Sequence, residues 1–257
     1  TLSNPGETAE GNTRLAARYL RKPFTTGKEV KRAMLYISGL GSYEAYLNGQ
    51  RVSDDVFAPT VSWYPERIYY NVYEVTSLLK GKENLLGVKL GNGRFFGMRG
   101  ADTQVFGLPR LLAQLKIEYN DGTSELILSD NSWKVTSKGP IIANNEYDGE
   151  EYDARLEMKG WDNIGFDDAG WKQADLMDAP EGELTAQPNP NIRVMEEIQP
   201  VHITRLKDGK FIIDMGQNMV GWLRINNLKG KKDQPVTLRF AELLNPDSTL
   251  YLANIRS

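Results

Sequence analysis

Between Leu35 and Pro59 the chain reads LYISGLGSYEAYLNGQRVSDDVFAP. Within this stretch Tyr43, Ala45 and Leu47 alternate with Glu44, Tyr46 and Asn48. Alternation with period two is the pattern of a strand buried on one face only. Asn48-Gly49 follows directly. Both central residues of a type I′ turn need positive φ, and Asn-Gly meets that demand at least cost. A strand, a tight turn and a return strand are therefore expected here, followed by an acidic corner at Ser53-Asp54-Asp55. This hairpin constrains everything else, because a half-buried hairpin needs further strands to cover its apolar face.

The rest of the chain supplies them. Arg18 to Phe24, Arg32 to Ile37, Arg67 to Tyr73 and Leu85 to Leu90 read as strands. Arg110 to Tyr119, RLLAQLKIEY, has some helical character. Asp121-Gly122 and the apolar run Ser124 to Leu128 make a second hairpin the better reading. Val75 to Leu79 reads as a short turn or one helical turn, residues 98–107 as irregular chain, and Trp133 to Val135 as a strand. Trp161, Phe166 and Trp171 are spaced five apart in a segment read as a closing loop. Pro180, Pro188, Pro190 and Pro200 mark a change of composition. Beyond it, Phe211 to Asp214, Val220 to Ile225 and Val236 to Phe240 read as three short strands. Short strands separated by turn residues, with no long amphipathic helix, mean an all-β fold of antiparallel sandwich type. The expected division is a lead-in over 1–15, a first sandwich over 16–178, a linker over 179–200 and part of a second sandwich over 201–257.

Composition removes several classes of function. With 31 basic and 34 acidic residues dispersed along 257, there is no basic block, so no nucleic-acid partner is expected. No apolar run reaches the length of a membrane span, so no membrane partner is expected either. The absence of cysteine excludes disulfides, thiol catalysis and cysteine metal sites, and one histidine excludes a multi-histidine centre. The many tyrosines suit sheet pairing or a sugar-stacking surface.

Three stretches carry candidate chemistry. Gly91-Asn92-Gly93-Arg94-Phe95-Phe96-Gly97 lacks the Lys-Ser/Thr of a phosphate loop. It reads as a bulged loop or as a sugar platform, with Arg94 as donor and Phe95 or Phe96 as stacking face. Asp54-Asp55 and the loop Tyr147 to Asp153 place carboxylates on turns, where calcium takes its oxygens, although neither has EF-hand spacing. Glu150 and Glu151 are neighbours on a strand and face opposite ways, so they cannot be a glycosidase pair with each other. No catalytic residue is assigned. Asp214 to Trp222 reads as a sharp turn braced by side chains.

Taken together, several stretches resemble the bacterial α-L-rhamnosidases of glycoside hydrolase family 78. They are Tyr46-Leu47-Asn48-Gly49 with Val52-Ser53-Asp54, Arg67-Ile68 through Thr76, Leu90 to Gly97, and Pro109 with Leu111 to Leu115. Tyr147 to Glu150 with Tyr152 to Arg155, Asp214 to Trp222, and Ala241-Glu242-x-Leu244 complete the series. The resemblance implies a jelly-roll, galactose-binding-like sandwich, then a further sandwich, then an α/α barrel that carries catalysis. On that pattern this chain holds the accessory region without the barrel. The implied partners are a rhamnose-containing glycan and the catalytic barrel of the same polypeptide, with calcium as the implied cofactor. A bacterial periplasmic or extracellular setting is expected. The carbohydrate-binding candidates are Asn48, Asp54, Asp55, Trp63, Asn92, Arg94, Phe95 and Phe96, with Asp54 and Asp55 as metal ligands. Some of the connections that carry them, the Asn48-Gly49 turn, the Asp54-Asp55 corner and the Gly91 to Gly97 loop, are expected to meet at one rim of the sandwich, where loops congregate. The alternatives are a scaffold module that only packs on the barrel, and an autonomous enzyme.

Overall fold

A computed structural model describes residues 2–5, 14–97 and 106–255. Part of the expected lead-in and most of the irregular stretch 98–107 lie outside the described residues. The chain divides into two compact units, Thr1–Arg193 and Val194–Ser257.

The first unit is a β-sandwich. One sheet has seven strands. From one edge they run Asp175–Leu176, Leu2–Ser3, Arg110–Tyr119, Val30–Leu40, Arg67–Glu74 and Glu183–Ala186, with Ser124–Leu128 also paired to Arg110–Tyr119. The other sheet has six strands, in the order Lys172–Gln173, Lys134–Thr136, Arg18–Thr25, Glu83–Gly91, Ser42–Leu47 and Gln50–Arg51. The pairings are antiparallel except for Glu183–Ala186, which runs parallel to Arg67–Tyr70. Between the sheets lies the core. Leu35, Ile37, Leu115 and Ile117 come from the first sheet and meet Leu20, Ala45, Leu47, Val88 and Leu90 from the second.

Period two does the sorting. Along Arg110–Tyr119 buried and partly exposed residues alternate, and Glu118 stands opposite Ser124 across the Asp121-Gly122 turn. The helical alternative for this stretch would have scattered Leu111, Ala113, Leu115 and Ile117 around a cylinder. As a strand it lays all four on one face. In the central hairpin Leu47 pairs with Gln50, and φ is 53° at Asn48 and 81° at Gly49. These are the positive values a type I′ turn requires.

Two stretches expected to be loose chain contribute strands. Leu2–Ser3 pairs with Asp175–Leu176 and with Leu111. In the 179–200 stretch, Glu183–Ala186 extends the seven-stranded sheet and Ile192–Arg193 pairs with Asp55–Val56. The prolines signal irregular chain correctly, but between Pro180 and Pro188 the four residues Glu183–Ala186 find an open sheet edge.

The outer face of the six-stranded sheet is covered by the expected closing loop. Trp161 packs edge-on against Tyr19 and Tyr46, with centroids 5.1 and 5.6 Å apart, and stacks on Trp171 at 6.4 Å. Arg21 holds this loop. Its Nε donates to Trp161 O at 3.0 Å, Nη2 donates to Asn163 O at 2.7 Å, and Nη1 pairs with Asp168. Its guanidinium also lies over the rings of Phe166 and Trp171.

The second unit contains two short hairpins, His202–Arg205 with Phe211–Asp214 and Leu243–Leu244 with Leu250–Tyr251. Val220 to Ile225 and Val236 to Phe240 form no strand, contrary to the strand reading. Their apolar residues, Trp222 and Phe240 among them, are exposed. A strand is defined by its partner, and among the described residues these two have none.

Candidate functional site

The Asn48-Gly49 turn and the Gly91 to Gly97 loop lie at opposite ends of one strand pair. Ser42 pairs with Gly91 and Leu47 with Leu86, so the Gly91 loop leaves one end of this strand pair and the Asn48-Gly49 turn closes the other. Five residue steps separate the two ends by about 17 Å.

Five of the eight, Asn48, Asp55, Asn92, Phe95 and Phe96, are interior. Asn48 Nδ2 donates to Leu78 O at 2.9 Å and to Asn84 Oδ1 at 2.7 Å, while its Oδ1 accepts from Leu85 N at 2.9 Å. Asn92 accepts from Arg18 Nη1 at 2.7 Å and donates to Leu15 O at 2.8 Å and to Asn144 O. Each buried amide is committed to protein partners, as burial demands. Both lock turns and offer nothing to a ligand. Phe95 and Phe96 are also buried, so neither is a stacking face. The bulged loop turns them inward because it lies flat on the Gly41-Ser42 corner. Gly41 has φ 130°, and a Cβ there would sit 2.2 Å from Gly91 O.

Asp54 and Asp55 have separate roles. Asp55 is 4% exposed. Its Oδ1 accepts from Arg193 Nε at 2.9 Å, and its Oδ2 accepts from Tyr73 Oη at 2.9 Å and from Asn191 Nδ2. Burial pushes its carboxyl pKa up. The hydrogen bonds from Ser53, Arg193, Tyr73 and Asn191 outweigh that and hold it below the usual aspartate value. Asp54 is exposed and meets the same Arg193 Nε at 3.2 Å. This arrangement does not fit calcium. The ion needs free carboxylate lone pairs, and those of Asp55 face N–H and O–H donors with a guanidinium already balancing the charge. In this structure Asp54 and Asp55 form a clasp with Arg193. The Tyr147 to Asp153 loop is likewise dispersed. Asp148 accepts from Asn145, Glu151 pairs with Arg14, and Asp153 is held down to about 2 by hydrogen bonds from Arg155.

Trp63 and Arg94 remain, and both are exposed at the Gly91 end. Trp63 is 53% exposed and stands edge-on to Phe106, with centroids 5.6 Å apart. Phe106 stacks on Phe95 at 5.9 Å and meets Tyr64 at 5.1 Å. Burial pushes the Tyr64 hydroxyl up to about 12, with Glu146 raising it further and Arg94 opposing. Arg94 directly precedes Phe95 in the chain, so its pair with Glu146 borders the aromatic cluster. Arg94 pairs with Glu146 at 3.5 Å and lies 5.9 Å above the ring of half-buried Tyr147. The result is one rim with an exposed indole on a buried aromatic base, next to a guanidinium, a carboxylate and a phenol. An apolar face beside hydrogen-bonding groups is the surface a sugar ring requires. Tyr64, Phe106, Glu146 and Tyr147 were not singled out for this rim. Only the adjacency of Tyr64 to Trp63 could have suggested it, since 52 residues separate Arg94 from Glu146.

A second cluster of carboxylates lies on the outer face of the six-stranded sheet. Lys89 stands opposite Glu44 and donates to it at 3.1 Å. Burial raises the Glu150 carboxyl, with Lys89 lowering it and Glu44 raising it. Burial also raises Glu44, but Lys89, Tyr46 and Arg51 outweigh it and leave its pKa lowered. Opposite shifts in a carboxylate pair suit acid–base roles. Here, however, Tyr46, Lys89 and Arg51 all occupy Glu44. Those three donors tie the carboxylate into an ion-pair network of the sheet itself.

Comparison with known proteins identifies the frame. Residues 28–196 match the alpha-L-rhamnosidase N-terminal domain, and residues 204–257 match the bacterial alpha-L-rhamnosidase concanavalin-like domain. An alpha-L-rhamnosidase of Streptomyces avermitilis is 44% identical over 248 residues, covering 94% of this chain and 24% of the relative. One from Formosa agariphila is 40% identical over 220 residues, covering 82% and 23%. The crystal structure of the Streptomyces avermitilis enzyme complexed with L-rhamnose superposes with a TM-score of 0.81 at 41% identity, covering 95% of this chain and 24% of that one. The Dictyoglumus thermophilum alpha-L-rhamnosidase structure gives 0.79 at 39% identity, covering 97% and 28%. The chain thus spans about a quarter of the length of the curated relatives it matches. On sequence and structure alike, it belongs to the α-L-rhamnosidase family.

Proposed function

We propose that this chain is the non-catalytic, glycan-facing region of an α-L-rhamnosidase that hydrolyses rhamnose-containing glycans. The observation that carries the reading is the rim of Trp63, Arg94, Glu146 and Tyr147. The exposed face of Trp63 takes the apolar side of an L-rhamnose ring, and the Arg94 guanidinium and Glu146 carboxylate receive its hydroxyls. Held by a rigid sandwich, the rim retains the glycan near the catalytic barrel of the same polypeptide, which performs the cleavage. Titration calorimetry of the chain with L-rhamnose tests this. Saturable heat that Trp63→Ala lowers about tenfold in affinity supports it.

A scaffold reading has its own support. Asn48, Asp55, Asn92, Phe95 and Phe96 are all interior, so most of what the sequence offers as binding residues serves the fold. Absence of any heat with L-rhamnose, with or without calcium, would favour the scaffold.

A further inference from the structure

The two sheets of the first unit present different outer faces. The six-stranded sheet is covered by the Trp161 loop. The seven-stranded sheet turns apolar side chains into solvent. Register fixes which residues share that face. Leu128 stands opposite Gln114, Gln114 opposite Tyr36, and Tyr36 opposite Val72. In the neighbouring row Leu126, Lys116, Met34 and Glu74 follow one another across the same four strands. Leu112 lies on this face too, opposite Ser38. Leu112, Leu126, Leu128 and Val72 are 39%, 50%, 45% and 41% exposed. The core does not need them, because Leu35, Ile37, Leu115 and Ile117 already fill the inner face of the same strands. An antiparallel sheet with one wet face ordinarily reads apolar-in and polar-out. A broad apolar patch in its place, bordered by charges, is the anatomy of a protein interface.

We propose that this face docks on the same face of a second copy of the chain, about a two-fold axis running along Val30–Leu40. The charges select that occupant. In the row Lys116, Met34, Glu74 an ammonium and a carboxylate flank the central strand, each about 5 Å from it by strand spacing. A two-fold axis through Met34 sets Lys116 of each copy against Glu74 of the other. Such self-complementarity is what an isologous interface requires. In the adjoining row Tyr36 meets its own counterpart and Val72 meets Gln114. The row beyond is balanced within each copy, because Glu118 stands opposite Arg32. Lys116 also meets Glu118 at 2.6 Å, an exposed pair of a kind that contributes little, and its ammonium has donors to spare. Glu74 is exposed, and its Oε1 accepts from Thr76 N at 3.1 Å. Facing sheets pack within about 30° of alignment, so rows near the axis keep their partners.

Sedimentation velocity of the 257-residue chain, from about 1 µM to about 1 mM, tests this. The wild type is expected to dimerise with a Kd on the order of 10 to 100 µM. Val72→Lys puts a charge into the apolar row and should weaken the dimer at least about tenfold, with a Tm within about 4 °C of wild type. Lys116→Glu and Glu74→Lys should each weaken it about tenfold, because like charges then face one another across the axis. An equimolar mixture of those two variants should return to within about threefold of wild type. In the mixed dimer every contact between positions 116 and 74 joins opposite charges. A structural effect of either substitution stays within its own chain and is not repaired by mixing. A wild type that stays monomeric throughout would overturn the proposal. So would association that Val72→Lys leaves unchanged, which places the contact on another face, or a mixture that associates no better than its components. Should a charge variant exceed the Tm margin, Val72→Lys and Leu126→Lys, both at exposed positions, decide by the same readout.

Discussion

At the scale of single residues, Asp55 ties stability to pH. Its folded pKa lies below the ordinary aspartate value of 3.8. A group with a depressed folded pKa contributes stability above its unfolded pKa and loses it as pH falls through the folded value. Stability of the first unit should therefore decline on acidification below about pH 4. Asp55→Ala should flatten that decline and cost about 2 kcal/mol at neutral pH, because Tyr73 and Asn191 lose their acceptor. Urea unfolding at several pH values reads both. An unaltered midpoint at neutral pH would mean that the clasp contributes nothing. Gly41→Ala should cost at least about 2 kcal/mol, since its Cβ would lie 2.2 Å from a backbone carbonyl in a region of φ that alanine avoids. These positions also mark how far single residues can be read from sequence. Asn48-Gly49 declares its turn locally. Asp55 does not declare its partner, because Arg193 lies 138 residues away and nothing near either residue signals the other. Phe95 and Phe96 were misread for a related reason. An aromatic after glycines is equally suited to a platform and to a core, and only the packing of Gly41 against the loop decides.

At the scale of elements, period two was legible wherever a strand had one wet face. Arg110–Tyr119 is the clearest case, because its alternation and the Asp-Gly turn agree. Legibility failed at elements of two to four residues such as Ile192–Arg193 and Glu183–Ala186, which are too short to show a period and exist because an open edge accepts them. The covering loop 153–171 illustrates both sides. Its aromatic spacing was visible, while the residue that fastens it, Arg21, lies far upstream. Arg21→Lys should release this loop, because an ammonium cannot serve Trp161 O, Asn163 O and Asp168 while stacking between Phe166 and Trp171. The expected results are a red shift of tryptophan emission and rapid cleavage within 153–171 under limited proteolysis. An unchanged emission spectrum would show that the aromatic contacts suffice.

At the scale of the whole molecule, the described residues are β-structure with two single-turn 3-10 helices. The 257-residue chain alone is expected to release nothing from an aryl α-L-rhamnoside. Turnover that survives Glu150→Gln and Glu151→Gln would place chemistry elsewhere in these residues.

The parallel pairing of Glu183–Ala186 with Arg67–Tyr70 sets an order of events. More than a hundred residues separate the partners, and such distant pairings form late. On the ribosome, the hairpins around Asn48-Gly49 and Asp121-Gly122 can close as they emerge. The edge strand and the Arg193 clasp must wait for the last tenth of the first unit. Nascent chains stalled short of residue 187 should therefore remain protease-sensitive around Asp54 to Trp63, and those stalled well past 193 should not. Each unfinished copy meanwhile carries an open sheet edge, and crowded polysomes give that edge a competitor: the same segment of a neighbouring nascent chain.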